Sequence, residues 1–176
     1  MKKTILTLLI GMVIVLIISG CEKKESKTDN IFNKKFGSYT LPKNWIESKK
    51  YSTSNKFFYV LEGQENKKQP NNISINIGTN KYAKENHEKF KTAILNQLTM
   101  QIAREERIEV NANGTKTDNG EIVYTFIIKE PKNNKTTTQY YIVGDYKYIL
   151  IHETVFGESK ETDETAKGIV NSFKWK

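Results

Sequence analysis

Apolar and polar positions fall into three regimes along the chain. Residues 5–18 are almost all aliphatic, broken by Thr7 and Gly11, and residues 22–34 (EKKESKTDNIFNK) then carry few apolar side chains and alternate in charge. From Phe36 onward apolar residues recur at spacings of two or of three to four. Period two marks strands with one face on a core, and a period near 3.6 marks helices. FGSYTLPKNW (residues 36–45) alternates and then meets Pro42. This predicts an edge strand followed by a turn that packs Trp45. NKFFYVLEG (residues 55–63) predicts a second strand, and Ile73, Ile75 and Ile77, alternating with Ser74 and Asn76, a third.

The period changes at Glu85. Phe90, Ile94, Leu98 and Ile102, with Ala93 beside them, form one stripe of a helix that ends near residue 104, with Leu95 and Met100 off the stripe. A strand, a turn region holding Asn113-Gly114 and Asn119-Gly120, and a strand over residues 123–128 follow. Two more strands flank Gly144-Asp145, a two-residue hairpin signal. Thr162 is the expected cap of a last helix with Ala166, Ile169, Val170 and Phe173 on one face and Asp163 and Glu164 in its first turn. The order βββαββββα, with strands joined by hairpins, argues for an α+β domain: an antiparallel sheet with helices packed against it.

Lys2 and Lys3, the aliphatic run, and Ser19 and Gly20 after it have the layout of a secretory signal. A stop-transfer helix would need about 20 apolar residues. Ile18, Ser19, Gly20 and Cys21 resemble the lipobox of bacterial prolipoproteins. The resemblance implies a diacylglyceryl group on the Cys21 thiol, cleavage before it, and a mature chain starting at Cys21. Two acyl chains hold a protein stably where one does not. Residues 1–20 are thus read as a signal peptide, 21–34 as a flexible tether and 35–176 as a single domain. The expected location is the outer face of the bacterial cytoplasmic membrane, lipid-anchored.

Charge refines this picture. Without residues 1–20 the formal net charge falls from +8 to +6, and residues 22–70 hold 11 lysines against 6 acids. A basic stretch beside an anchor suits an anionic lipid surface or an anionic wall polymer. Cys21 is the chain's one cysteine, so an acylated chain has no thiol for a disulfide, a metal or covalent catalysis. Nucleic acid is no partner for an exported protein.

YTLPKNW (residues 39–45) and AKGIVNSFKW (residues 166–175), together with the order of elements, resemble the PsbP and DcrB-like superfamily. That resemblance implies an α/β/α sandwich around an antiparallel sheet, in proteins that mostly act as non-enzymatic binding or assembly factors. Leu41, Pro42, Trp45, Ser172 and Phe173 match as fold positions, and no catalytic residue is carried over.

Candidate chemistry is sparse. His152-Glu153 begins like HExxH, but the fifth residue is Phe156 and HETVF reads as strand, so zinc is not expected. His87, between polar neighbours near a helix start, reads as an exposed residue. The chain has no GxSxG elbow or glycine-rich phosphate cradle, and Asp118, Asn119 and Glu121 in one loop read as turn chemistry rather than a calcium loop. Tyr140, Tyr141, Tyr146 and Tyr148 crowd the Gly144-Asp145 hairpin and are the candidate partner surface, against the plainer reading of cross-strand pairs. The expected function is a lipid-anchored, non-enzymatic binding or assembly factor for an envelope protein, with no cofactor. The alternative is a carrier of a hydrophobic or small anionic ligand at the membrane surface.

Overall fold

The computed structural model describes residues 29–102, 107–110 and 114–176. Residues 1–20, read above as a signal peptide, Cys21 with its lipobox resemblance, residues 22–28 of the expected tether, and Asn113 lie outside the described residues. Among the described residues there are eleven strands and two α-helices: β1 (Asp29–Asn33), β2 (Gly37–Pro42), β3 (Trp45–Glu47), β4 (Lys56–Leu61), β5 (Asn72–Thr79), α1 (His87–Gln101), β6 (Arg107–Val110), β7 (Thr115–Lys116), β8 (Ile122–Glu130), β9 (Lys135–Val143), β10 (Lys147–Phe156), α2 (Lys160–Ser172) and β11 (Lys174–Trp175). All strand pairs are antiparallel. The large sheet runs β3-β4-β5-β10-β9-β8-β6, with β7 also on β8, and a small sheet runs β1-β2-β11.

Strand alternation sorts the core into two layers. Tyr59, Ile73, Ile75, Val123, Tyr140, Ile142, Ile149 and Ile151 point to one face, under α2 and the small sheet, where Leu41, Trp45, Ile169 and Phe173 meet them. Tyr124, Phe126, Tyr141 and Val143 point to the other, under Phe90, Ile94 and Leu98 of α1. The helical stripe read from the sequence is the buried face of α1, Leu95 packs at its margin, and Met100 is solvent-exposed. One helix on each face of an antiparallel sheet is the α+β sandwich that the pattern predicts.

Four boundaries differ from the expectation. The last part of the tether is a strand: β1 pairs with β2 from Asp29↔Pro42 to Asn33↔Ser38. Its polar composition hides one anchoring ring, Phe32, which stacks on Tyr39 at 5.8 Å and meets Tyr59 edge-on at 5.7 Å. β2 is therefore a central strand between β1 and β11 rather than an edge, and Pro42 is tolerated because it is the last residue of the strand. The β9–β10 loop has three residues, Gly144 to Tyr146, closed by the Gly144 N–H donating to the Lys147 carbonyl at 2.9 Å. α2 starts before Thr162: the Ser159 hydroxyl accepts from the Thr162 N–H at 3.3 Å, and Thr162 is itself buried.

Candidate functional site

Where the β1–β2 connection passes the end of the large sheet, a cavity of about 690 Å³ opens between Lys34, Lys35, Phe36, Phe57, Ile77, Lys147 and Lys176. Period two brings Phe57 and Ile77 to the α2 face of the sheet, and at this end Phe36 of the β1–β2 connection, not α2, lies over them. The Phe36 and Phe57 rings are 5.9 Å apart. Lys147 starts β10 two residues before Ile149, which pairs with Ile77, so its side chain stands at the same rim. Lys176 arrives because β11 pairs with Gly37 and Ser38 and the Lys176 N–H then donates to the Phe36 carbonyl at 3.2 Å.

The result is an apolar floor under four ammonium groups. Two are held by aromatic faces: Lys34 Nζ lies 3.8 Å from the Phe57 ring centre and Lys147 Nζ 4.5 Å from that of Trp175. Lys34 also pairs with Glu47 at 3.5 Å, and Lys49 with the other Glu47 oxygen at 3.2 Å. Burial works against ionisation of Glu47, but the Lys49 hydrogen bond and the charges of Lys34 and Lys49 hold its carboxyl below the usual value. Lys35, Lys147 and Lys176 leave a positive surplus at the mouth. Such a cavity can take anionic oxygens at its rim and an aliphatic chain on its floor.

The four tyrosines do not form one surface. Tyr140 lies under α2, while Tyr141 and Tyr148 lie on the opposite face with their ring centres 5.4 Å apart and 5.8 and 5.4 Å from Phe90. Burial raises the hydroxyl pKa of both Tyr140 and Tyr141. Tyr146 alone is exposed, at the hairpin tip. The tip backbone is spoken for: the Tyr146 N–H donates to the Tyr82 carbonyl at 3.1 Å, its carbonyl accepts from Asn80 at 3.0 Å, and Asp145 Oδ1 accepts from the Lys84 N–H at 3.2 Å. Cross-strand pairing accounts for the hairpin tyrosines because adjacent strand residues point to opposite faces.

The same alternation sends His152 and Glu153 to opposite faces of β10. His152 is half-buried beside Lys56 and Lys135, and burial first, then the two lysines, push its imidazole down to about 4. His87 is not simply exposed: its Nδ1–H donates to the Tyr124 hydroxyl at 2.5 Å, which donates on to Glu88 Oε1 at 2.7 Å, with Lys91 closing the set on Glu88. This network ties the start of α1 to β8. The Asn119 turn is structural: Asn119 Nδ2 donates to the Phe173 carbonyl at 2.9 Å, beyond the end of α2. Among the described residues, no group of three or more metal-ligating side chains converges.

The pocket lysines were not legible as a site in the sequence, since they come from positions more than a hundred residues apart. The signal that points towards them is the lysine excess of the first third together with the alternation of Phe57 and Ile77.

No family model matches the chain, and no curated protein sequence matches it at a significant level. Solved structures do resemble it. The solution structure of cyanobacterial PsbP (CyanoP) from Synechocystis sp. PCC 6803 aligns over 90% of this chain and 99% of its own at 11% identity, with a TM-score of 0.50. A Bacteroides thetaiotaomicron VPI-5482 structure aligns over 80% of this chain and 45% of its own at 13% identity, with a TM-score of 0.46. A mutant of the protein Mog1 aligns over 83% of this chain and 95% of its own at 12% identity, with a TM-score of 0.48. At such identity the likeness to CyanoP is one of architecture, and this chain has a PsbP-like α+β fold.

Proposed function

We propose that the protein is a lipid-anchored, non-enzymatic binding protein on the outer face of the cytoplasmic membrane, which holds an anionic amphiphile in the lysine-rimmed pocket. The observation that carries this reading is the placing of Lys34, Lys35, Lys147 and Lys176 around the floor of Phe36, Phe57 and Ile77. A binding role is kept from the sequence reading, and the occupant becomes an amphiphile because the hairpin tyrosines do not assemble a protein-contact face. The lipobox at Cys21 supplies the anchor in this reading, and Cys21→Ala is expected to leave the protein in the soluble fraction.

The pocket is tested with the chain from residue 22 onward and dodecyl phosphate below its micelle concentration, followed by calorimetry. Dodecyl phosphate is expected to bind, dodecyl maltoside and inorganic phosphate much more weakly. Exchanging the two exposed rim lysines, Lys35→Glu with Lys176→Glu, should weaken dodecyl phosphate by about tenfold or more, because it replaces two attractive charges by two repulsive ones. Equal binding of the neutral detergent, or an unchanged affinity in the folded double variant, would sink the proposal.

A further inference from the structure

On the face covered by α2, the helix and the small sheet leave the β8–β9 half of the large sheet open as a trough of about 610 Å³. Register sets its floor: Thr125 beside Tyr140, Ile127 beside Thr138, Lys129 beside Thr136 on β8 and β9, with Glu153 of β10 beside Thr138. Lys116 of β7 and Asp163 and Lys167 of α2 stand at its walls. The threonines are half-buried, so their hydroxyls are available at the surface of the trough.

Glu153 is the anomaly in this floor. It is 1% exposed, its Oε2 accepts from the Tyr140 hydroxyl over 3.4 Å, and its Oε1 has no hydrogen-bond donor. The Asp163 carboxyl lies within hydrogen-bonding reach but is another acceptor. A buried carboxylate with one long hydrogen bond is costly, and two facing acceptors need either a proton or a donor from outside. Burial first, then Asp163, push Glu153 up to about 8, against the opposing pull of Tyr140 and Lys167. Both effects favour a proton held between the Glu153 and Asp163 carboxyls, so the pair is less negative than two free carboxylates, and Lys116 and Lys167 stand beside it in the trough.

We propose that this trough is a second ligand site, for a small hydroxyl-bearing anion such as a polyol phosphate, whose charged group lies among Lys116, Lys129 and Lys167 and whose hydroxyls pair with Thr138 and Glu153. The lysine surplus selects an anion over an amine. The orphan Oε1 and the threonine grid select a hydroxylated ligand over a bare ion, since an anion without O–H groups, such as sulfate, brings no donor for Oε1. Binding is coupled to the Glu153 proton, because the carboxylate form would repel the anion, whereas with a proton shared towards Asp163 the neutral group offers its free oxygen to a ligand hydroxyl. The charged and titratable groups that face Glu153 are Tyr140 from β9 and Asp163 and Lys167 from α2, with Lys116 and Lys129 at the trough ends.

The test uses the full-length lipoprotein in a neutral detergent with isoleucine methyls labelled for NMR, titrated with sn-glycerol 3-phosphate, inorganic sulfate and glycerol. Glycerol 3-phosphate is expected to shift the Ile127 methyl at concentrations up to about 10 mM, leaving Ile77 of the lysine-rimmed pocket unmoved. Affinity should fall at least about fivefold between about pH 6.5 and pH 9, as Glu153 loses its proton. Glu153→Gln, which keeps a neutral donor, should bind with that pH dependence flattened, and Thr138→Val should bind about tenfold more weakly for the loss of one hydroxyl contact. Equal binding of inorganic sulfate would remove the role of the hydroxyls, and equal binding of glycerol would remove that of the lysines. Either result overturns the proposal, as does an absent response or one centred on Ile77.

Discussion

The unfolding free energy is expected to be level from about pH 4.5 to 6.5 and then to fall by about 2 kcal/mol up to pH 8, through the opposed titrations of Glu153 and His152. Glu153 is raised from 4.5 to about 8, so the folded chain keeps a proton that the unfolded chain releases. Its contribution is complete below pH 4.5 and is lost as pH rises to about 8. His152 is lowered from 6.5 to about 4, so the folded chain excludes a proton that the unfolded chain binds. Its contribution is complete above pH 6.5 and is lost as pH falls to about 4. Where the two windows overlap, slopes of about 1.4 kcal/mol per pH unit cancel, and above the overlap only the Glu153 slope remains.

Urea unfolding at a series of pH values reads this directly. Glu153→Gln should be level above pH 6.5, sloping down below it, and more stable than the parent at pH 8. His152→Gln should decline steadily from pH 4.5. Glu47 and Glu130, both held below their usual values by lysine partners, add acid losses only beneath this range. A parent curve that is flat from pH 6.5 to 8 would mean that Glu153 is ionised in the fold, and the proton assigned to the trough would fall with it.

What the sequence could and could not reveal follows from which interactions are periodic. The stripe of Phe90, Ile94 and Leu98 and the alternation of Ile73, Ile75 and Ile77 are imposed by a buried face, so strands, helices and their layering were readable. Composition misled at β1, where a single ring, Phe32, outweighs polar neighbours by docking on Tyr39 and Tyr59. Turn propensity placed Gly144 as a hairpin glycine, yet its constraint is contact: a Cβ there would come within 2.9 Å of the Trp175 ring. The residue with a left-handed backbone in that loop is Tyr146, at φ 54°. Gly78 has a similar cause, since a Cβ would stand 2.3 Å from the Tyr148 ring across the β5–β10 pair. Both cavities draw on residues far apart in the chain, and Glu153 was legible only as half of a failed zinc motif. Its environment is made by Tyr140 on the next strand and Asp163 on a helix ten residues on, which only the fold brings together.

Phe173→Ala is expected to cost about 3–5 kcal/mol, a large share of the stability of a domain this size. The ring is fully buried, meets Trp175 edge-on at 5.0 Å, and lies so close to Gly37 that a Cβ there would be 2.9 Å from it. It caps α2 and joins the helix to the small sheet, with its carbonyl accepting from Asn119 Nδ2 at 2.9 Å. Truncation keeps that backbone bond and removes only the packing. Phe173→Leu, which refills most of the volume, should cost less than about 1.5 kcal/mol. Denaturant midpoints at one pH separate the two, and a loss below about 1 kcal/mol for the alanine variant would show that the layer collapses around the gap. That outcome would also reach the pocket. Phe173 packs against Gly37, the residue that pairs with Trp175, so a layer that collapses around the gap would shift the strand that brings Lys176 to the rim for an anionic ligand.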